Sequence, residues 1–208
     1  SLCNAFGTAG TGGFAIKAAS LGAYDYYAQT VTTVFMILFG VNFSVYFFLL
    51  RRKFDLVWKN TELRWYLIII FASIAAITLN IFPQFPSFYD ALHHAAFSVG
   101  SVITTTGYCT ADFNLWPQLS KSILVFLMIV GACAGSTGGG LKVSRLVILF
   151  KTVQKELRLL IAPHTVKTVT MDAKRVGSDT IRGVSSYFLT YVFLVLISVL
   201  LVSFDNFD

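Results

Sequence analysis

The stretch Ser98-Val-Gly-Ser-Val-Ile-Thr-Thr-Thr-Gly107-Tyr-Cys-Thr-Ala-Asp112 gathers hydroxyls and glycine into a short turn between apolar segments. Consecutive carbonyl oxygens that face one axis can replace the hydration shell of a monovalent cation. Gly107 supplies the positive φ or the close backbone approach that such a turn needs. Backbone that is neither helix nor sheet is tolerated at membrane depth only where it lines a water-filled cavity or is buried in protein, because hydrocarbon satisfies no carbonyl. Thr104, Thr105, Thr106, Gly107 and Tyr108 are therefore candidate ligands along an ion path. An exposed loop between two spans would favour the same residue types, so the turn needs support from elsewhere in the chain.

A second stretch, Gly135-Ser-Thr-Gly-Gly-Gly140 followed by Lys142, interrupts an apolar run. Each glycine in a helix interior costs about 1 kcal/mol relative to alanine, so the helix must break or unwind there. Gly135, Ser136, Thr137, Gly138, Gly139 and Gly140 are the candidate gate of the path. Lys142 is expected to snorkel toward the inner interface. Enzyme chemistry is the alternative for the same residues. Ala134-Gly-Ser136-Thr-Gly138 approaches a Gly-x-Ser-x-Gly nucleophile turn, and His93 or His94 would be the base of an intramembrane serine hydrolase. The first glycine of that motif is missing, and the histidines fall on a different, outer segment. A Walker A loop is excluded because no lysine directly follows the last glycine. Cys3, Cys109 and Cys133 form neither a paired framework nor a metal-ligand spacing, and nothing calls for an organic cofactor.

The elements that would hold these stretches are apolar. Of 208 residues 56% are hydrophobic and 12% charged, with 20 Phe, a composition that marks an all-α integral membrane protein and excludes an ordinary soluble domain. The net charge of +6 does not indicate nucleic acid, because the 16 Lys and Arg are concentrated in 51–64 and 142–182 while 83–117 has none and carries Asp90 and Asp112. The positive-inside rule makes the two basic stretches cytoplasmic and puts the Thr-Gly turn on the opposite side of a plasma membrane crossed several times. No signal peptide is visible at Ser1.

Along the chain, Ser1 to Tyr27 is too broken by glycine to span and reads as a re-entrant turn. Ala28 to Leu50 is long enough for one crossing, stopped by Arg51-Arg52-Lys53, and Leu63 to Phe82 is the next crossing. Pro83 and Pro86 break the chain. Ser87 to Val99 has helical spacing but is shorter than a span, which fits a half-helix that enters and turns back at Thr104 to Gly107. Ile123 to Ala134 runs inward to the glycine break, Leu141 to Ile161 continues as an amphipathic cytoplasmic helix ended by Pro163, His164 to Arg182 is a polar connection, and Val184 to Val202 is a last crossing.

Self-comparison gives the support that the turn needed. Val34-Phe-Met-Ile-Leu-Phe-Gly40 matches Val125-Phe-Leu-Met-Ile-Val-Gly131 about 91 residues on, and Ala9-Gly-Thr11-Gly12 matches Thr104-Thr-Thr106-Gly107 about 95 residues on. A surface loop has no reason to recur with its flanking span. The unit is span, half-helix, Thr-Gly turn, span, and two turns cannot close a ring, so further units are required.

These residues resemble the membrane subunit of the Trk/Ktr/HKT potassium-transporter superfamily, in its Trk-type branch. The most specific strings are Ile103-Thr-Thr-Thr-Gly-Tyr-Cys-Thr-Ala-Asp-Phe-Asn-Leu-Trp-Pro117, Ala132-Cys-Ala-Gly-Ser-Thr-Gly-Gly-Gly-Leu-Lys-Val143, and Gly10-Thr-Gly-Gly-Phe14 with Ser20-Leu-Gly22. The resemblance implies four pore units around a pseudo-fourfold axis, with 1–62 the end of the second, 63–162 the third, and 163–208 a connection and the first span of the fourth. It implies potassium uptake across a bacterial inner membrane. The ligands would be Thr11, Gly12 and Gly13 together with Thr104, Thr105, Thr106, Gly107 and Tyr108, and Gly135 to Gly140 would form an intramembrane gate under the filter. It implies a homodimer, contact with membrane lipid, and a cytosolic nucleotide-binding regulatory subunit. Gly13-Phe14 and Tyr108-Cys109 stand where a potassium channel's Thr-Val-Gly-Tyr-Gly would place Tyr-Gly, so the filter is degenerate. Asp112 either concentrates cations at the mouth or braces the loop, and Asn42 and Asn80 are expected to bond between helices.

Overall fold

The computed structural model describes residues 2–162, 168–172 and 174–204. It is mostly helical, and the described residues fall into two compact units divided between Ser144 and Arg145.

The first unit starts with α1 (Leu2–Ala9) and a glycine-rich turn, then α2 (Tyr26–Phe39) and α3 (Phe43–Leu50). The expected single crossing from Ala28 to Leu50 is not one helix: α2 and α3 meet at a bend of 91°. Asn42 is why the chain can turn there, since its Oδ1 accepts the Ser44 N–H at 2.9 Å and so caps α3. A β-carbon on Gly40 would overlap the Tyr66 hydroxyl, which itself donates to the Ile37 carbonyl at 3.0 Å. The short helix α4 (Phe54–Lys59) leads to α5 (Thr61–Ile81), capped by Asn60 Oδ1 on the Leu63 N–H at 2.8 Å.

With its 3-10 extension α5 forms a 24-residue apolar segment long enough to cross a membrane, in agreement with the sequence. Tyr66, Ile70, Ile77 and Ile81 lie fully buried along one face of it. Ser87 caps α6 (Phe88–Ile103), whose 16 residues rise only about 24 Å, less than the hydrocarbon thickness of about 30 Å. This helix is enclosed by α2, α5 and α7 (Gln118–Val130). Its small residues Ala91, Ala95, Ser98, Gly100 and Ser101 are buried, which allows that close approach. Asn80 meets its expectation of a bond between helices, accepting from Ser120 Oγ of α7 at 2.7 Å. Asn42 bonds across as well, to Glu62 at 3.3 Å.

In the second unit lies most of α8 (Val143–Ile161), followed by a minimal antiparallel hairpin of β1 (Thr170–Met171) and β2 (Lys174–Arg175), and α9 (Ser178–Ser203). The hairpin departs from the all-α expectation within the polar connection. Pro163, expected to end the amphipathic helix, lies outside the described residues, and α8 itself stops at Ile161. The 26 residues of α9 are long and apolar enough to cross a membrane.

Candidate functional site

Two turns of the same construction meet in the first unit. At the end of α1 the Gly10 N–H bonds the Phe6 carbonyl at 2.9 Å, Thr11 bonds Thr8 at 3.3 Å, and the N–H groups of Gly12 and Gly13 converge on the Gly7 carbonyl at 2.9 and 3.4 Å. At the end of α6 the Thr104 N–H bonds Gly100 at 3.3 Å, Thr105 bonds Val102 at 3.0 Å, and Thr106 and Gly107 converge on Ser101 at 2.9 and 3.3 Å. Positive φ falls at the matching places, 50° and 67° at Thr11 and Gly13, 57° and 86° at Thr105 and Gly107. The equivalence is therefore Thr11 with Thr105, Gly12 with Thr106 and Gly13 with Gly107. This corrects the sequence register by one residue. The letters align Thr-Gly with Thr-Gly, whereas the backbone aligns the glycine that adopts the left-handed conformation.

Each turn commits its N–H groups to its own helix. Among the described residues the carbonyls of Thr11, Gly12, Thr106 and Gly107 accept no protein hydrogen bond, which leaves four strong acceptors for something other than protein. The two turns touch: a β-carbon on Gly13 would overlap the Thr106 carbonyl oxygen. One added to Gly107 would meet nothing within 4 Å. Tyr108, expected among the ligands, is committed otherwise. Its carbonyl accepts the Ser101 hydroxyl at 2.7 Å, and its buried ring carries the phenol to the Asn4 and Phe14 carbonyls at 3.2 and 3.4 Å, so it braces the opposite turn. The exit of the second turn is tied to the first by Gly22 N–H on the Cys109 carbonyl at 3.1 Å and Cys109 N–H on Ser20 Oγ at 3.3 Å. Asp112 braces its loop, accepting the Asn114 N–H at 2.9 Å.

The glycine-rich stretch is an ordered loop closed at its base. Leu141, Lys142 and Val143 return N–H bonds to the carbonyls of Ile129, Val130 and Ala132 at 3.1, 3.0 and 3.1 Å. Gly131, Gly135, Gly140 and Lys142 all have positive φ. The loop lies against both turns. Thr105 Oγ1 accepts the Gly139 N–H at 2.7 Å, while the Thr11 hydroxyl shares its proton between the Gly10 and Thr137 carbonyls at 2.8 and 2.9 Å. A β-carbon on Gly138 would sit 3.0 Å from the Thr104 carbonyl oxygen. Lys142, expected to snorkel toward the inner interface, instead turns its Nζ back to donate to the Gly138 carbonyl. The α2–α3 bend is fastened to the same loop by Cys133 N–H on the Gly40 carbonyl and Phe43 N–H on the Gly135 carbonyl, both at 3.1 Å.

The profile of the TrkH family, described as cation transport protein, matches residues 1–207. The chain belongs to the TrkH family. It is similar to the Trk system potassium uptake protein TrkH of Salmonella typhimurium, 31% identical over 96% of this chain and 42% of the relative. It is similar to TrkG of Escherichia coli, 28% identical over all of this chain and 44% of the relative. The crystal structure of the potassium transporter TrkH from Vibrio parahaemolyticus superposes with a TM-score of 0.89 at 30% identity, covering 98% of this chain and 45% of that one. The chain thus spans less than half the length of the TrkH relatives it matches.

These relatives are named as transporters, and the geometry gives the hydrolase alternative no support. Ser136 Oγ donates to the Cys133 carbonyl at 2.6 Å, His93 Nε2 pairs with Gln29 Oε1 at 2.8 Å, and His94 Nδ1 pairs with Thr110 Oγ1 at 3.2 Å. The serine and the histidines are each engaged with other partners.

One residue of the site escaped the sequence reading. Glu62, in the first turn of α5, is only 4% exposed, and its carboxylate takes the N–H groups of Ala134 and Ser144 at 2.5 and 3.2 Å on Oε1 and the Asn42 amide at 3.3 Å on Oε2. The available signal was weak. An acid close behind a capping Asn60 reads as ordinary first-turn chemistry.

Proposed function

We propose that this chain contributes two quarters of a carbonyl-lined potassium path and the gate beneath it, as part of a potassium-uptake transporter. One observation carries the reading: two turns with the same hydrogen-bond pattern meet while the carbonyls of Thr11, Gly12, Thr106 and Gly107 accept no donor among the described residues. Thr11, Gly12 and Gly13 from one turn and Thr104, Thr105, Thr106 and Gly107 from the other line the path, chiefly through main-chain oxygen. Tyr108 serves it by bracing. Completing a ring needs two further turns around a pseudo-fourfold axis, so residues 1–62 close a second pore unit, 63–162 form a third and 163–208 begin a fourth, with α1 and α6 as re-entrant half-helices. The loop Gly135 to Gly140 with Lys142 is the gate, since it underlies both turns and is bonded to each of them.

The basic stretches face the cytosol of a bacterial inner membrane by the positive-inside rule. The transporter works as a homodimer embedded in lipid with a cytosolic nucleotide-binding regulatory subunit, following the family resemblance. The test is rubidium uptake against competing sodium, in a strain lacking its own potassium uptake. Gly107→Ser puts a side chain into the open space beside the path, and we expect the preference for rubidium to fall. Unchanged preference, at normal protein levels in the membrane, overturns the filter assignment.

A further inference from the structure

We propose that Glu62 is the latch of the glycine-loop gate, a positioning residue that holds the loop closed through main-chain and amide donors; this rests on the gate reading above. Three separated segments converge on its one carboxylate. Ala134 is the last residue before the glycine break, Ser144 stands just beyond it in the first turn of α8, and Asn42 sits at the α2–α3 bend that carries the loop's other attachments. A loop that moves out of an ion path must change its ends, and Glu62 fixes both ends to each other and to α5. Nothing else about the position explains a buried acid. Its three partners are N–H donors, and the hydrogen-bonding capacity of a carboxylate, two oxygens and no proton to give, matches them.

The geometry specifies how the latch can be broken and remade. Asn42 cannot turn its amide over, because Oδ1 already caps α3 on the Ser44 N–H at 2.9 Å. Glu62→Gln therefore sets an amide NH2 against the Asn42 NH2, a donor facing a donor. Asn42→Asp instead sets two carboxylates against each other. In the E62Q/N42D double variant the new amide faces the new carboxylate, a donor–acceptor pair again, and the second carboxylate oxygen is still free to cap the Ser44 N–H. A hydrogen bond to a charged group is worth roughly ten- to a hundredfold in an equilibrium, so each single variant is expected to raise the open-to-closed ratio about tenfold.

The experiment is basal rubidium uptake by the complete transporter in cells lacking their own potassium uptake, normalised to the amount in the membrane, with sodium competition measured alongside. E62Q and N42D each raise basal uptake about tenfold without changing rubidium-over-sodium preference, and E62Q/N42D returns it toward wild type. A structural role without a latch does not produce reciprocal rescue of flux. Should a single variant fail to accumulate, Asn42→Ser retains a capping oxygen for α3 but is too short to reach Glu62, and a severalfold rise in uptake is expected. Wild-type uptake in the variants that accumulate, or a double variant no closer to wild type than the singles, overturns the latch. A variant shortened between Ser136 and Gly139 separates the two readings. If it raises uptake while the Glu62 set does not, the gate stands and the latch falls; if it raises nothing, the gate assignment itself fails.

Discussion

The neck of the glycine loop offers a graded test of how tightly the loop is built. Gly131 and Gly140 face each other there: a β-carbon on Gly140 would come within 2.7 Å of Gly131 Cα, and one on Gly131 would lie 2.8 Å from Gly140 Cα and overlap the Gly139 carbonyl oxygen. Gly135 shares the positive φ, 73° against 70° and 80°, but the nearest atoms to its β-carbon would be those of the Asn42 side chain, at 3.1 Å and beyond. All three alanine variants carry the strain of a side chain at positive φ, about 1–3 kcal/mol. Gly131→Ala and Gly140→Ala add backbone overlap, which cannot relax by a side chain swinging away, and overpacking of this kind costs about 1–3 kcal/mol more. The neck variants should then lose about 2–6 kcal/mol, enough to part the three N–H bonds from Leu141, Lys142 and Val143. Thermal unfolding of the purified transporter in detergent should rank Gly131→Ala and Gly140→Ala well below Gly135→Ala, with Gly135→Ala nearer to wild type. Basal rubidium uptake of whatever neck variant survives should rise. Equal damage at Gly135, or a neck variant as stable as wild type, would refute the closed-neck geometry.

Two other substitutions probe the contact between the turns and the loop. Thr105→Val removes the acceptor for the Gly139 N–H at 2.7 Å while conserving shape; at about 1 kcal/mol for such a bond, basal uptake should rise severalfold with little change in thermal stability, and a fall in uptake would show that the bond does not restrain the loop. Gly13→Ala drives a methyl into the Thr106 carbonyl oxygen, so both stability and ion preference should suffer. A Gly13→Ala variant that keeps wild-type preference would mean that the two turns do not share one path.

What the sequence made legible depends on whether the deciding interactions are local. The start of α6 was readable because Pro83 and Pro86 punctuate the chain before Ser87, whose side chain caps the helix, whereas α5 begins at Thr61, two residues ahead of the expected Leu63. That α6 is too short to span was readable from its apolar spacing, although it runs on to Ile103, past the expected end at Val99. The α2–α3 bend was not, because Ala28 to Leu50 is one apolar run in which a lone Gly40 and Asn42 look like tolerated interior residues. Asn42 permits the turn, but the bonds that hold it are remote, to Cys133 and Gly135 some 90 residues on. The register of the turns was displaced by one residue for a related reason. Residue identity reports which glycine is present, whereas the left-handed φ at Gly13 and Gly107 is fixed by both neighbouring N–H groups reaching for one carbonyl. Lys142 and Glu62 look like an interfacial base and a first-turn acid until the loop they hold is seen.

The two breaks in this unit also explain each other. A helix interrupted at membrane depth exposes N–H and C=O groups that lipid cannot satisfy, at several kcal/mol apiece. The α2–α3 bend leaves the Gly40 carbonyl and the Phe43 N–H without helical partners, and the α7–α8 break leaves the Cys133 N–H and the Gly135 carbonyl in the same condition. Each pair is satisfied by the other across the unit, both bonds at 3.1 Å. Straightening either helix would strand the polar groups of its partner, so the α2–α3 bend and the glycine loop form a single structural device. Any movement of the loop must then break or carry with it the bend at Asn42, which is where the Glu62 carboxylate also takes hold.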